Sequence, residues 1–117
     1  MQAASTRLSP SARALLQDPG NQLFLSAASS WEIAIKYALG KLPLPLPPTE
    51  YVPSRMETSG TSPLPVQHSH ALHAGSLPLY HADPFDRLLI AQAQLEGLKL
   101  LTADSQFEAY GIDLLWA

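Results

Sequence analysis

The chain contains no cysteine. Disulfides, thiolate metal sites and cysteine nucleophiles are therefore excluded, and a reducing cytoplasm is the expected compartment. No uninterrupted apolar run approaches the length of a bilayer span. The opening stretch MQAASTRLSPSARALL has no signal-peptide core followed by a small-residue cleavage site, so no membrane partner is expected. Charge is sparse as well, with 7 Lys and Arg against 10 Asp and Glu and a net charge of −3. That balance disfavours a broad electrostatic grip on nucleic acid, and it does not exclude a nucleic-acid enzyme whose acidic pocket is neutralised by metal. There is no glycine-rich phosphate loop and no nucleophile-elbow motif to support Ser-His-Asp catalysis. A phospho-acceptor receiver needs an acidic pair after an early strand and a late lysine, and neither is found.

What is present suits one globular domain over residues 1–117, with 1–7 expected to fray. A chain of this length buries roughly two-thirds of the surface its unfolded form exposes. Ser9-Pro10 reads as a helix start, and Asp18-Pro19-Gly20 as its stop. Leu23-Phe24-Leu25 reads as a short buried strand, Trp31–Leu39 as a helix closed by Gly40. Residues 43–65 hold seven of the eleven prolines; Leu42–Pro48 reads as an extended loop, Thr49–Ser59 as a short helix ending at Gly60 and Leu64–Val66 as a short or edge strand. One or two helical turns are expected over Ser69–Ser76. Asp83-Pro84 opens the clearest helix, ending near Glu96 at Gly97. Leu98–Thr102 reads as a strand, Ser105–Tyr110 as a short helix and Ile112–Trp116 as a last strand. Strands alternate with helices, and the short apolar runs suit strands covered on both faces. The expected architecture is α/β, a mainly parallel sheet layered by helices.

Three isolated acids, Glu32, Asp86 and Asp104, fall where strands hand over to helices. In open parallel sheets those points share one edge, where ligands bind. Carboxylates gathered there can hold a divalent cation, which suggests phosphodiester chemistry. Each acid also has a purely structural reading. Ser29-Ser30-Trp31-Glu32 matches a capping box, and Lys36 stands four residues on in the favourable order for an ion pair. Asp83 could cap the next helix, with Asp86 complementing its positive end and Arg87 pairing back to Asp83. Asp86 nonetheless shares a helical face with Ile90 and Ala93, which would aim its carboxylate along the sheet edge. Asp104 could cap the helix at Ser105. Capping alone is satisfied by Ser, Thr or Asn, yet acids recur at all three handovers.

His68, His70, His73 and His81 are spaced unlike a usual zinc motif and read as surface or loop residues, His81 being the one nearest the acidic edge. Trp31, Phe85, Phe107 and Trp116 read as core rather than as a base-stacking platform.

Three stretches, SAASSWEIAIKYALGKLPLP, LPLYHADPFDRLLIAQAQLEGLKLLTAD and FEAYGIDLLWA, resemble PIN-domain proteins of the VapC type, toxins of bacterial toxin–antitoxin pairs. The resemblance covers residues 8–117. It implies a Rossmann-like three-layer α/β/α PIN fold and a ribonuclease site dependent on Mg²⁺ or Mn²⁺. Glu32, Asp86 and Asp104 fall on the family's acids, and Ser26 and Thr102 on the small hydroxyl positions beside them. Asp83 is a nearby second acid, expected as an outer-shell group. The implied partners are RNA and a cognate antitoxin.

The resemblance departs at the N-terminus. The family begins with a short apolar strand ending in Asp, central in the sheet and a primary metal ligand. Here MQAASTRLSPSARALL matches only the helix that follows it. The first, central strand is therefore expected to be missing, its neighbours to lose ladder partners, and the chain to form a homodimer, with strand swapping as one route, or to be of low stability. Weak nuclease activity is expected on that basis. The alternative is an inactive PIN module that binds an antitoxin or a second PIN chain.

Overall fold

The computed structural model describes residues 14, 17–80, 82–102 and 105–116, the side chains of 105, 106, 115 and 116 excepted. The expected fraying of residues 1–7 and most of the helix expected from Pro10 onward lie outside the described residues. The Asp18 amide donates to the Ala14 carbonyl at 3.1 Å, and the Asp18 side chain then closes the expected turn by accepting from the Gly20 amide at 2.8 Å.

Two compact units make up the described chain, residues 22–66 and residues 67–117 together with the segment up to Asn21. In the first, strand β1 (Leu23–Ser26) runs into helix α1 (Ala27–Ala38), and helix α2 (Pro48–Ser59) leads into strand β2 (Thr61–Leu64). The two strands pair in parallel, Leu23 opposite Thr61 and Ser26 opposite Leu64. Parallel strands need a crossover, and both helices lie in it. Pro48 occupies the first turn of α2, where its missing N–H is not needed, and Gly60 ends the helix at φ 67°. The strand expected at Leu64–Val66 sits three residues earlier. Pro63 lies within it, which a two-stranded ladder with an open edge tolerates.

In the second unit, helix α3 (His68–Ser76) and helix α4 (Pro84–Glu96) precede strand β3 (Leu100–Thr102), a 3₁₀ helix (Ser105–Tyr110) and strand β4 (Leu114–Trp116). β3 and β4 are again parallel, Leu100 opposite Leu114. The core of this unit is Ala74, Leu77, Ile90, Ala91, Phe107 and Tyr110, flanked by Leu88, Leu100, Ile112 and Leu114. Ile90 and Ala91 are fully buried, because α4 turns one apolar stripe onto α3 and the 3₁₀ segment. The α/β class with parallel strands is as expected. The strands described form two separate two-stranded sheets. No helix among the described residues is long and apolar enough to cross a membrane.

Candidate functional site

The N-terminus of α4 is built by its own sequence. Asp83 takes an extended backbone conformation, and its Oδ1 accepts from the amides of Phe85 (2.8 Å) and Asp86 (3.1 Å). Pro84 stands at the first helical position, and the Arg87 amide donates to the Asp83 carbonyl at 3.0 Å. Two of the four amides that a helix start leaves unmatched are thus satisfied by one carboxylate. Asp86 lies in this first turn, half-buried, at the end of the helix where negative charge is stabilised. Ile90 and Ala93, on the helical face it shares, are buried.

The corner leading into α4 is cross-braced. Arg87 sends Nη2 to the carbonyls of Ala74 (2.8 Å) and Leu77 (2.9 Å) and Nη1 to that of Pro78 (3.1 Å). The Tyr110 hydroxyl donates to the same Pro78 carbonyl at 2.8 Å, and the Tyr80 ring meets Tyr110 edge-on at a centroid distance of 5.3 Å.

Thr102 closes β3, half-buried, in register with Trp116. Asp104 and His81 lie outside the described residues. In the other unit, Ser26 is buried and caps α1, its Oγ accepting from the Ala28 amide at 3.1 Å. Helix α1 consequently begins four residues earlier than the expected start at Trp31. This overturns the capping box between Ser29 and Glu32, because Glu32 stands in the second turn. The expected pair with Lys36 is present at 3.4 Å. Asp83 and Asp86 share one helical turn, whereas Glu32 and Ser26 belong to the other unit. Within neither unit do three His, Asp or Glu side chains among the described residues stand close enough to hold a metal ion.

The sequence profile of the PIN domain matches residues 5–113. The chain belongs to the PIN-domain family. Over 61 residues it is 61% identical to a protein of Mycobacterium tuberculosis (strain ATCC 25618 / H37Rv) called Ribonuclease VapC16, a match covering 52% of this chain and 43% of that protein. The chain thus spans less than half the length of this curated relative. No solved structure gives a significant match. In this PIN domain the donors available at the corner are carboxylate oxygens, with no thiolate anywhere in the chain. That donor chemistry fits a hard cation such as Mg²⁺ or Mn²⁺.

Sequence reasoning missed His70. It is no surface residue but 1% exposed, with Nδ1 accepting from the Gln67 amide (3.0 Å) and Nε2 against the Glu96 carboxylate (2.9 Å). The signal was there in the spacing of His70, Ala74 and Leu77, one helical face whose other two members are core. His68 is exposed, and His73 bonds Gln94 at 2.6 Å. Trp31, expected in the core, is 62% exposed, whereas Phe107 is buried and Phe85 half-buried.

Proposed function

We propose that this PIN domain is a metal-dependent endoribonuclease of the VapC type, the toxin of a toxin–antitoxin pair, acting in the cytoplasm. The observation that carries the reading is Asp86, held half-buried at the capped start of α4 in the DPFDRLLIAQA segment. The similarity to Ribonuclease VapC16 supports the same reading. Asp86 and Asp104 are the residues proposed to hold Mg²⁺ or Mn²⁺, with Glu32 positioning metal or water and Ser26 and Thr102 beside them. A bound cation supplies a water of lowered pKa and neutralises charge on the phosphate. Asp83, whose Oδ1 accepts from two amides, shapes the corner and would serve as an outer-shell group. Asp86 keeps its place because the turn that carries it is capped and cross-braced.

The test is cleavage of RNA by the chain and by Asp86→Asn, with Mg²⁺ or with chelator. Cleavage that yields 5′-phosphate ends, requires the cation and is lost in the variant supports the proposal. Cleavage indifferent to chelator or to Asp86→Asn overturns it.

A second reading is favoured by two exposed apolar side chains, Trp31 on α1 and Leu39 at its C-terminal cap. In it the chain grips an antitoxin segment without cutting RNA. Co-purification with such a segment, together with no cleavage under the conditions above, is the outcome that selects it.

A further inference from the structure

We infer that Arg87 is the positioning residue of the acidic corner, fixing the roll of the first turn of α4 and so the direction in which Asp86 presents its carboxylate. The inference rests on the proposed cation site and deepens it. Helix α3 ends at Ser76 without a glycine, and Leu77 leaves it in an extended conformation (φ −65°, ψ 148°). In place of the bonds a left-handed cap supplies, its end has one long contact from the Leu77 amide to the Ala74 carbonyl at 3.4 Å and the Ser76 hydroxyl on the His73 carbonyl at 2.8 Å. Arg87 reaches back to this end from the residue next to Asp86. One planar guanidinium engages three carbonyl oxygens, those of Ala74, Leu77 and Pro78, all within 3.1 Å. Its own amide is tied to the Asp83 carbonyl, so side chain and backbone clamp the same turn from both sides.

The fork matters more than the charge. A lysine ammonium is a point donor on a flexible stem and cannot span three acceptors in a plane. The positive charge also sits at the negative end of the α3 dipole, which holds it in place. Tyr110 braces the Pro78 carbonyl independently, so the corner has two anchors of unequal reach.

The experiment uses the full chain, Arg87→Lys, Tyr110→Phe, Asp86→Asn and, as a control for stability alone, Ile90→Val. Two quantities are read well below the unfolding temperature. One is hydrogen exchange of the Phe85 and Asp86 amides in metal-free protein. The other is Mn²⁺ affinity, from the paramagnetic resonance of the free ion. In Arg87→Lys, exchange at both amides rises about tenfold, the scale of one lost charge-assisted hydrogen bond. Mn²⁺ affinity in Arg87→Lys falls about tenfold to a hundredfold, the range for residues that orient metal ligands. Ile90→Val lowers stability and moves neither quantity. Tyr110→Phe gives a smaller change in the same direction, and it decides the matter if Arg87→Lys does not fold. Wild-type exchange and affinity in Arg87→Lys, or in Tyr110→Phe where that stands alone, overturn the inference while leaving the cation site intact. If the unaltered chain and Asp86→Asn titrate Mn²⁺ alike, the cation site itself is wrong and the inference falls with it.

Discussion

His70 and Glu96 are 26 residues apart in sequence, yet the His70 Nε2 lies 2.9 Å from the Glu96 Oε2, joining the first turn of α3 to the last turn of α4. The His70 Nδ1 accepts from the Gln67 amide, so the ring proton sits on Nε2 and is donated to the carboxylate. The interaction is lopsided in its surroundings, the His70 side chain being 1% exposed and that of Glu96 44%.

That asymmetry sets the first prediction. His70→Ala opens a cavity and leaves the Gln67 amide unmatched, which costs about 3 kcal/mol. Glu96→Ala costs less, about 1 kcal/mol, because its carboxylate is partly exposed and water reaches the His70 Nε2–H in its place. Urea unfolding midpoints check both, and equal losses for the two variants would contradict the account.

Glycine substitutions give the second. Gly97 closes α4 at φ 67°, so Gly97→Ala is strained and destabilises by about 1 kcal/mol. Gly75 lies inside α3 with no positive φ and nothing within 4 Å of an added Cβ. Gly75→Ala therefore stabilises by about 0.5 kcal/mol. Opposite shifts in thermal midpoint are expected, and shifts of one sign would argue against the backbone assignment.

Asp83 provides the third. Asp83→Ala removes the cap of α4 and costs about 1 kcal/mol, whereas Asp83→Asn keeps an accepting oxygen and costs only a few tenths. If both variants lose equally in denaturant unfolding, Asp83 contributes through its charge and not through the cap.

Much of this could be read in advance where chain chemistry is local. Asp83-Pro84 and Gly97 mark both ends of α4, and Gly60 marks the end of α2, because caps act within a few residues. Asp86 was placed beside Ile90 and Ala93 by helical spacing alone. What could not be read depends on choices between equivalent local signals or on distant partners. Ser26 and Ser29 are both competent caps, and only the end of β1 at Ser26 decides between them. His70 is polar by composition and buried because Glu96 and Gln67 satisfy its ring. Trp31 is apolar and exposed, which no periodicity rule forbids.

The two short sheets give the fourth prediction. Each has two strands among the described residues, and a ladder of two strands is marginal by itself. We expect a homodimer in solution, seen by size exclusion with light scattering. A monomer with a high melting temperature would count against it.

The proposed nuclease reading turns on Asp86 holding a divalent cation together with Asp104. A crystal grown or soaked with Mn²⁺ and measured for anomalous scattering tests it most directly. The expected result is a peak about 2.1 Å from carboxylate oxygens of Asp86 and Asp104. Those carboxylates lying on different sides of the molecule, with no peak near Asp86, would contradict it.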